Sequence, residues 1–224
     1  NTTYYFRVRA VNHNGMPSLF VNLGSTATLA ALPAVADPAF VAVDIVSITV
    51  SWLENGNPLD ITTYSVVLTT GSVYPNTFAA NTPVLSTSPA GTPLLANFSG
   101  LSFNTTYFAF VAAANVSGGR TAYVLLGSTS TLAAEPATEV ATFTAVNASS
   151  FTASWSANGN PLSMTTYTVQ LSTASDFNAF ATSTTFSTAP VGAPSASFAG
   201  LSGGTTYYFR VRAVNNNGML TAFA

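Results

Sequence analysis

His13 is the chain's lone histidine, and there is no cysteine. A metal ligand or general base needs a second nitrogen, a thiolate or a carboxylate held nearby. His13 instead lies in an Asn-His-Asn-Gly turn whose later copy has Asn216 at that place, the pattern of a solvated turn residue. The carboxylates Asp37, Asp44, Glu54, Asp60, Glu135, Glu139 and Asp176 stand singly. Asp60 becomes Ser163 and Glu54 becomes Ala157 one copy later, so a paired-carboxylate hydrolase or a calcium loop has no cluster to build on. The expectation is a non-enzyme with no catalytic centre, no metal site and no cofactor.

Sequons occur at Asn1, Asn97, Asn104, Asn115 and Asn147, about the number chance supplies in a chain this rich in Asn, Ser and Thr. O-linked sugar on the Ser/Thr-rich stretches is compositionally open. Charged residues make up 5% of the chain, against a usual value of about 25%. Five arginines, no lysine and a net charge of -2 leave no basic footprint, which excludes nucleic acid and anionic membrane as expected partners. No apolar run reaches the roughly 18 residues that cross a bilayer, so no membrane insertion is expected within this segment. The lack of cysteine fits either a reducing compartment or a bacterial surface protein that dispenses with disulfides, and the tandem array favours the second, so the expected location is extracellular or cell surface.

The elements that position these residues repeat. NTTYYFRVRAVN from Asn1 returns as NTTYFAFVAAAN from Asn104 and as GTTYYFRVRAVN from Gly204. Gly24 recurs as Gly127, Trp52 as Trp155 and the NGNPL loop at Asn55 as that at Asn158, each 103 residues on. A unit of that length owns a core, unlike a solenoid repeat.

Within a unit the pattern alternates in twos. Ile48, Val50 and Trp52 alternate with Thr49 and Ser51; Tyr64, Val66 and Leu68 alternate with Ser65 and Val67; both stretches are copied around Trp155 and Tyr167. The Asn-Gly pair between them supplies the positive φ of a tight reversal. In the last long strand Tyr207, Phe209, Val211 and Ala213 share one face, and Tyr208, Arg210, Arg212 and Val214 the other. About seven short strands per unit predict an all-β, two-sheet sandwich.

The tryptophans that end the second strand, the L-x-x-x-T-x-Y stretches LSFNTTY (Leu101 to Tyr107) and LSGGTTY (Leu201 to Tyr207), and the Y-x-x-x-V-x-A-x-N strand after them resemble the fibronectin type III family over the whole chain. The likeness is to repeats of a large bacterial extracellular tandem-repeat protein. It implies tandem immunoglobulin-like, seven-stranded sandwiches in which Trp52 and Trp155 fill each core. It also implies that Tyr107 and Tyr207 are corner residues whose hydroxyls bond back to the chain. On that reading residues 1–32 are the last two strands of a partial repeat, 33–134 a complete one, and 135–224 one lacking most of its last strand. The mid-repeat ends fit either a fragment boundary or exchange of the strand around Val21 to Ala30 between copies. The linkers at Ala30 to Ala34 and Ala133 to Ala137, both T-L-A-A-x-P-A, are expected to be stiff.

One difference between copies stands out. Arg7 and Arg9, or Arg210 and Arg212, give way to Phe110 and Ala112, leaving Phe108, Phe110, Ala112 and Ala114 on the outer face of that strand. Such a stripe, if exposed, marks an interface, whereas cover by a neighbouring loop is the plainer alternative. With so few charges, copies of the chain itself are the expected partner, laterally or head to tail, with wall polysaccharide as a further one. The leading functional reading is a structural repeat of an extracellular bacterial fibre, sheath or surface array. The alternatives are an adhesin stalk or spacer, and an accessory carbohydrate-binding module of a secreted polysaccharide-degrading enzyme.

Overall fold

The computed structural model describes residues 1–74, 84–87, 94–178, 180–187 and 194–224, and among these every regular element is a strand. In chain order they are β1 (Thr3–Val8), β2 (Val21–Ala27), β3 (Ala34–Val43), β4 (Ser47–Leu53), β5 (Thr63–Thr69), β6 (Val84–Thr87), β7 (Leu94–Ser99), β8 (Thr106–Ala114) and β9 (Val124–Ser130). Then follow β10 (Ala137–Thr144), β11 (Ser150–Ser156), β12 (Thr166–Ser172), β13 (Phe180–Ser187), β14 (Ser195–Ala199) and β15 (Tyr208–Val214). The sheets run β1-β2, β3-β4-β7, β6-β5-β8-β9, β10-β11-β14 and β13-β12-β15. The middle repeat thus has seven described strands in sheets of three and four.

The chain separates into two compact units, one of residues 1–41, 49–98 and 108–128 and the other of 42–48, 99–107 and 129–224. The division does not follow the sequence repeat, because the end loops 42–48 and 99–107 pack with the residues of the last repeat.

The alternation read from the sequence sets the cores. In the first unit Val50, Trp52, Tyr64, Val66, Leu68, Val111 and Ala113 are buried, with the Trp52 and Tyr64 rings 5.6 Å apart. The second unit repeats the arrangement with Trp155, Tyr167, Val169, Leu171, Val211 and Ala213, the Trp155 and Tyr167 rings 5.5 Å apart. The Asn-Gly reversals adopt the conformation their sequence demands, with φ of 52° and 76° at Asn55 and Gly56 and of 51° and 86° at Asn158 and Gly159. Gly24, at φ 100°, lies where the β1-β2 register slips between Phe6 and Arg7, a bulge that a side chain would disfavour.

Candidate functional site

The outer face of β8 pairs with β5, Phe110 opposite Val67 and Ala112 opposite Ser65. All four are buried: Phe110 is 5%, Val67 0%, Ala112 0% and Ser65 7% exposed. Phe108 and Ala114 are half-buried. The expectation of an exposed stripe at Phe108, Phe110, Ala112 and Ala114 is therefore corrected, and part of the cover comes from two loops. The Tyr74 ring lies 5.8 Å from that of Phe110 and stands edge-on to Tyr123 at 4.7 Å.

The same construction recurs around arginine. Gln170 faces Arg210 across β12 and β15, and the Arg210 Nε donates to Gln170 Oε1 at 2.6 Å. The Arg210 guanidinium lies 4.1 Å from the Phe177 ring centre and 4.2 Å from that of Phe223, which Arg212 also approaches at 4.5 Å. One repeat apart, Tyr74 corresponds to Phe177, Tyr123 to Phe223, Val67 to Gln170 and Phe110 to Arg210. In the first repeat Arg7 and Arg9 stack on Phe20, at 4.2 and 4.8 Å. The outer face is thus an aromatic clamp whose filling is either an arginine or a phenylalanine.

The residues named as structural lie as follows. The Tyr107 hydroxyl accepts the backbone N–H of Ser102 at 3.1 Å, and the Tyr207 hydroxyl that of Ser202 at 2.9 Å. Trp52 is 2% and Trp155 1% exposed. Burial pushes the Tyr64 hydroxyl pKa upward, with Glu54 adding to the effect, and pushes that of Tyr167 up to about 12, against the pull of the Asn160 amide.

A second construction joins the repeats, once inside each unit, and sequence reasoning had read its parts only as turns and sequons. Inside the second unit Asn104, 0% exposed, donates through Nδ2 to Thr165 Oγ1 at 2.9 Å and accepts the Asn216 N–H at 2.7 Å. Asn160 holds Ala134 by both backbone groups, accepting its N–H at 2.8 Å and donating to its carbonyl at 2.7 Å. Asn215 donates to the Thr131 carbonyl at 3.1 Å, and Asn158 to that of Glu135 at 2.9 Å. The first unit carries the earlier copy. Asn1 bonds Thr62 Oγ1, Asn57 grips Ala31, Asn115 donates to the Thr28 carbonyl, and Asn55 to that of Leu32. Asparagine suits this task because one planar amide offers donor and acceptor together and so satisfies a strand-like linker backbone on both sides. The available signal was the recurrence of Asn57, Thr62 and Asn115 at 103-residue spacing as Asn160, Thr165 and (at 100) Asn215.

The fibronectin type III domain family model matches residues 136–222. Residues 136–222 are thus similar to a fibronectin type III domain. A two fibronectin type-III domain segment from chicken tenascin is 13% identical with a TM-score of 0.52, covering 87% of this chain and 97% of that one. The chicken CNTN1 FN1-FN3 domains are 16% identical with a TM-score of 0.35, over 99% and 76% of the two chains. No curated protein matches the chain. The all-β fold is that of tandem fibronectin type III sandwiches, and no enzyme family is indicated.

Among the described residues no group of three His, Asp or Glu side chains lies close enough to hold a metal ion. His13 is exposed in its turn. Two of the sequon asparagines, Asn104 and Asn115, are buried at the junctions with their amides engaged, while Asn97 and Asn147 are exposed. Among the described residues no helix is long and apolar enough to cross a membrane.

Proposed function

We propose that the chain is a non-catalytic spacer of the cell exterior, a run of fibronectin type III repeats divided at 32/33 and 134/135, whose work is to hold successive repeats together. The observation that carries this reading is the duplicated junction, in which three asparagines of one period and their counterparts of the next spend their amides on linker and loop backbone. Buried hydrogen bonds of this kind contribute about 1 kcal/mol each and cost more when left half-made, which favours a junction that is either fully formed or open.

The fibre or surface-array reading, with copies of the chain as partners, drew its local support from a stripe that is covered, so it now rests on low charge and on the tandem repeats, which a spacer explains equally well. The carbohydrate-module reading wanted an aromatic platform from Tyr5, Tyr208, Phe108 and Phe110. Phe110 is buried, and Tyr5 and Tyr208 sit in different repeats.

Sedimentation of the chain over a wide concentration range tests the choice. A spacer stays monomeric throughout; reversible association into ordered assemblies would overturn it in favour of the fibre. Asn104→Ala is expected to cost about 2 to 3 kcal/mol at the junction, through lost buried bonds and the left-handed backbone at that position, φ 40°. Hydrogen exchange at the Asn216 amide reads that loss directly.

A further inference from the structure

Four Asn-Gly pairs occur in turns, at Asn14, Asn55, Asn158 and Asn217. A glycine amide has no side chain beside it, so its nitrogen can approach the side-chain carbonyl carbon of the asparagine before it. We propose that Asn55 is a site of spontaneous deamidation, and that its conversion releases the linker that this asparagine holds. In the reaction the Gly56 nitrogen bonds to Asn55 Cγ and the Cγ–Nδ2 bond breaks. Ammonia leaves with the proton that the Gly56 nitrogen gives up, and water opens the resulting succinimide to aspartate or isoaspartate. Water is the only other reactant.

The consequence follows from the hydrogen bond at stake. Asn55 Nδ2 donates to the Leu32 carbonyl at 2.9 Å. A carboxylate has no proton to donate and would face that carbonyl with a negative charge. The neighbouring hold on the same linker, Asn57 to Ala31, shares the turn.

The later copy has the same bond, Asn158 to the Glu135 carbonyl at 2.9 Å, and nearly the same backbone. What differs is the space over the glycine. Nothing lies within 4 Å of where a Cβ would stand on Gly56, whereas on Gly159 that point is 2.6 Å from Cε2 of Phe103. Ring closure requires the left-handed turn to open, and at Gly159 the opening must displace an aromatic ring. Asn217 is held by its amide on Thr129 Oγ1 at 3.0 Å, while the Asn14 side chain makes no hydrogen bond among the described residues. The geometry thus sets an order: Asn14 first, then Asn55 and Asn217, each held by one amide bond before an open glycine, with Asn158 slower.

The experiment is incubation of the full chain in mildly alkaline buffer, followed by peptide mass mapping with isoaspartate detection. Asn158 should convert about fivefold more slowly than Asn55, the factor that one aromatic contact adds to a local opening equilibrium. Phe103→Gly, which places there the residue the last repeat carries at Gly203, should raise the Asn158 rate to that of Asn55 and leave Asn55 unchanged. Equal rates in the native chain, or an Asn55 that stays intact while Asn14 converts, would overturn the assignment. Asn55→Asp should speed hydrogen exchange at the Ala31 amide; unchanged exchange would reject the linker release.

Discussion

The outer sheet face of the middle repeat and that of the last repeat solve one packing problem with opposite chemistry. In the last repeat a charged guanidinium sits between Phe177 and Phe223 and is tied to Gln170; in the middle one Phe110 sits beside Tyr74 against Val67, with Tyr123 edge-on to Tyr74. The lesson is that the substitution is paired across the strands. When arginine goes, so does the glutamine opposite it, and a charge-assisted bond under aromatic rings is exchanged for apolar contact under aromatic rings. A lone apolar residue on a polar face invites an interface reading. An apolar residue with an apolar cross-strand partner and a ring above it is part of a core.

The contrast breaks most visibly by truncation. Phe110→Ala should destabilise its repeat by about 3 to 4 kcal/mol, the cost of emptying a buried aromatic site. Arg210→Ala should cost its repeat only about 1 to 2 kcal/mol, since a stacked cation and its hydrogen bond to Gln170 are lost from a half-buried place. Urea denaturation followed by tryptophan fluorescence in Trp52→Phe and Trp155→Phe backgrounds assigns each loss to its repeat.

Exchange of the fillings sharpens it. Phe110→Arg alone should cost about 2 kcal/mol because the guanidinium meets Val67, and adding Val67→Gln should recover about 1 kcal/mol of that as a non-additive coupling. A double-mutant cycle with purely additive costs would show the pairing to be incidental.

Alkali gives the smallest contrast. The clamp of the middle repeat is made of tyrosines, and the Tyr74 pKa is raised, by burial first and then by Tyr123; Phe177 and Phe223 do not titrate. A group whose folded pKa lies above its unfolded one binds the proton more tightly when folded. Its stabilising effect is therefore full below pH 10, the ordinary tyrosine value, and fades as the pH rises past it. The core tyrosines act in the same direction in both repeats, Tyr167 across a window from about 10 to about 12. Through Tyr74 the middle repeat should therefore carry an alkaline loss that Tyr74→Phe removes and that the last repeat has no clamp tyrosine to match, as thermal melts in the Trp155→Phe background would record.

Much of the fold was legible because its signals are local and periodic. Alternation placed Val50, Trp52, Tyr64 and Val66 inside, and Asn-Gly placed the reversals. The fate of Phe110 was not legible, since its cover includes Tyr74, 36 residues earlier, and nothing in the spacing joins the two before the repeats are aligned in three dimensions. The junction asparagines were hidden for a related reason. Asn104 opens an N-T-T phrase that reads as a sequon, and its acceptor Thr165 lies 61 residues away. A buried amide gives no composition signal of its own, because asparagine is equally at home in an exposed turn.

The bonds that Asn104, Asn160, Asn215 and Asn217 make inside the second unit involve amides, hydroxyls and backbone alone, and no side chain in the set carries a charge. Such a joint has no titration curve and nothing for mobile ions to shield. Its stiffness should be the same in brine, in fresh water and in mild acid, a form of weatherproofing that ion-paired joints do not provide.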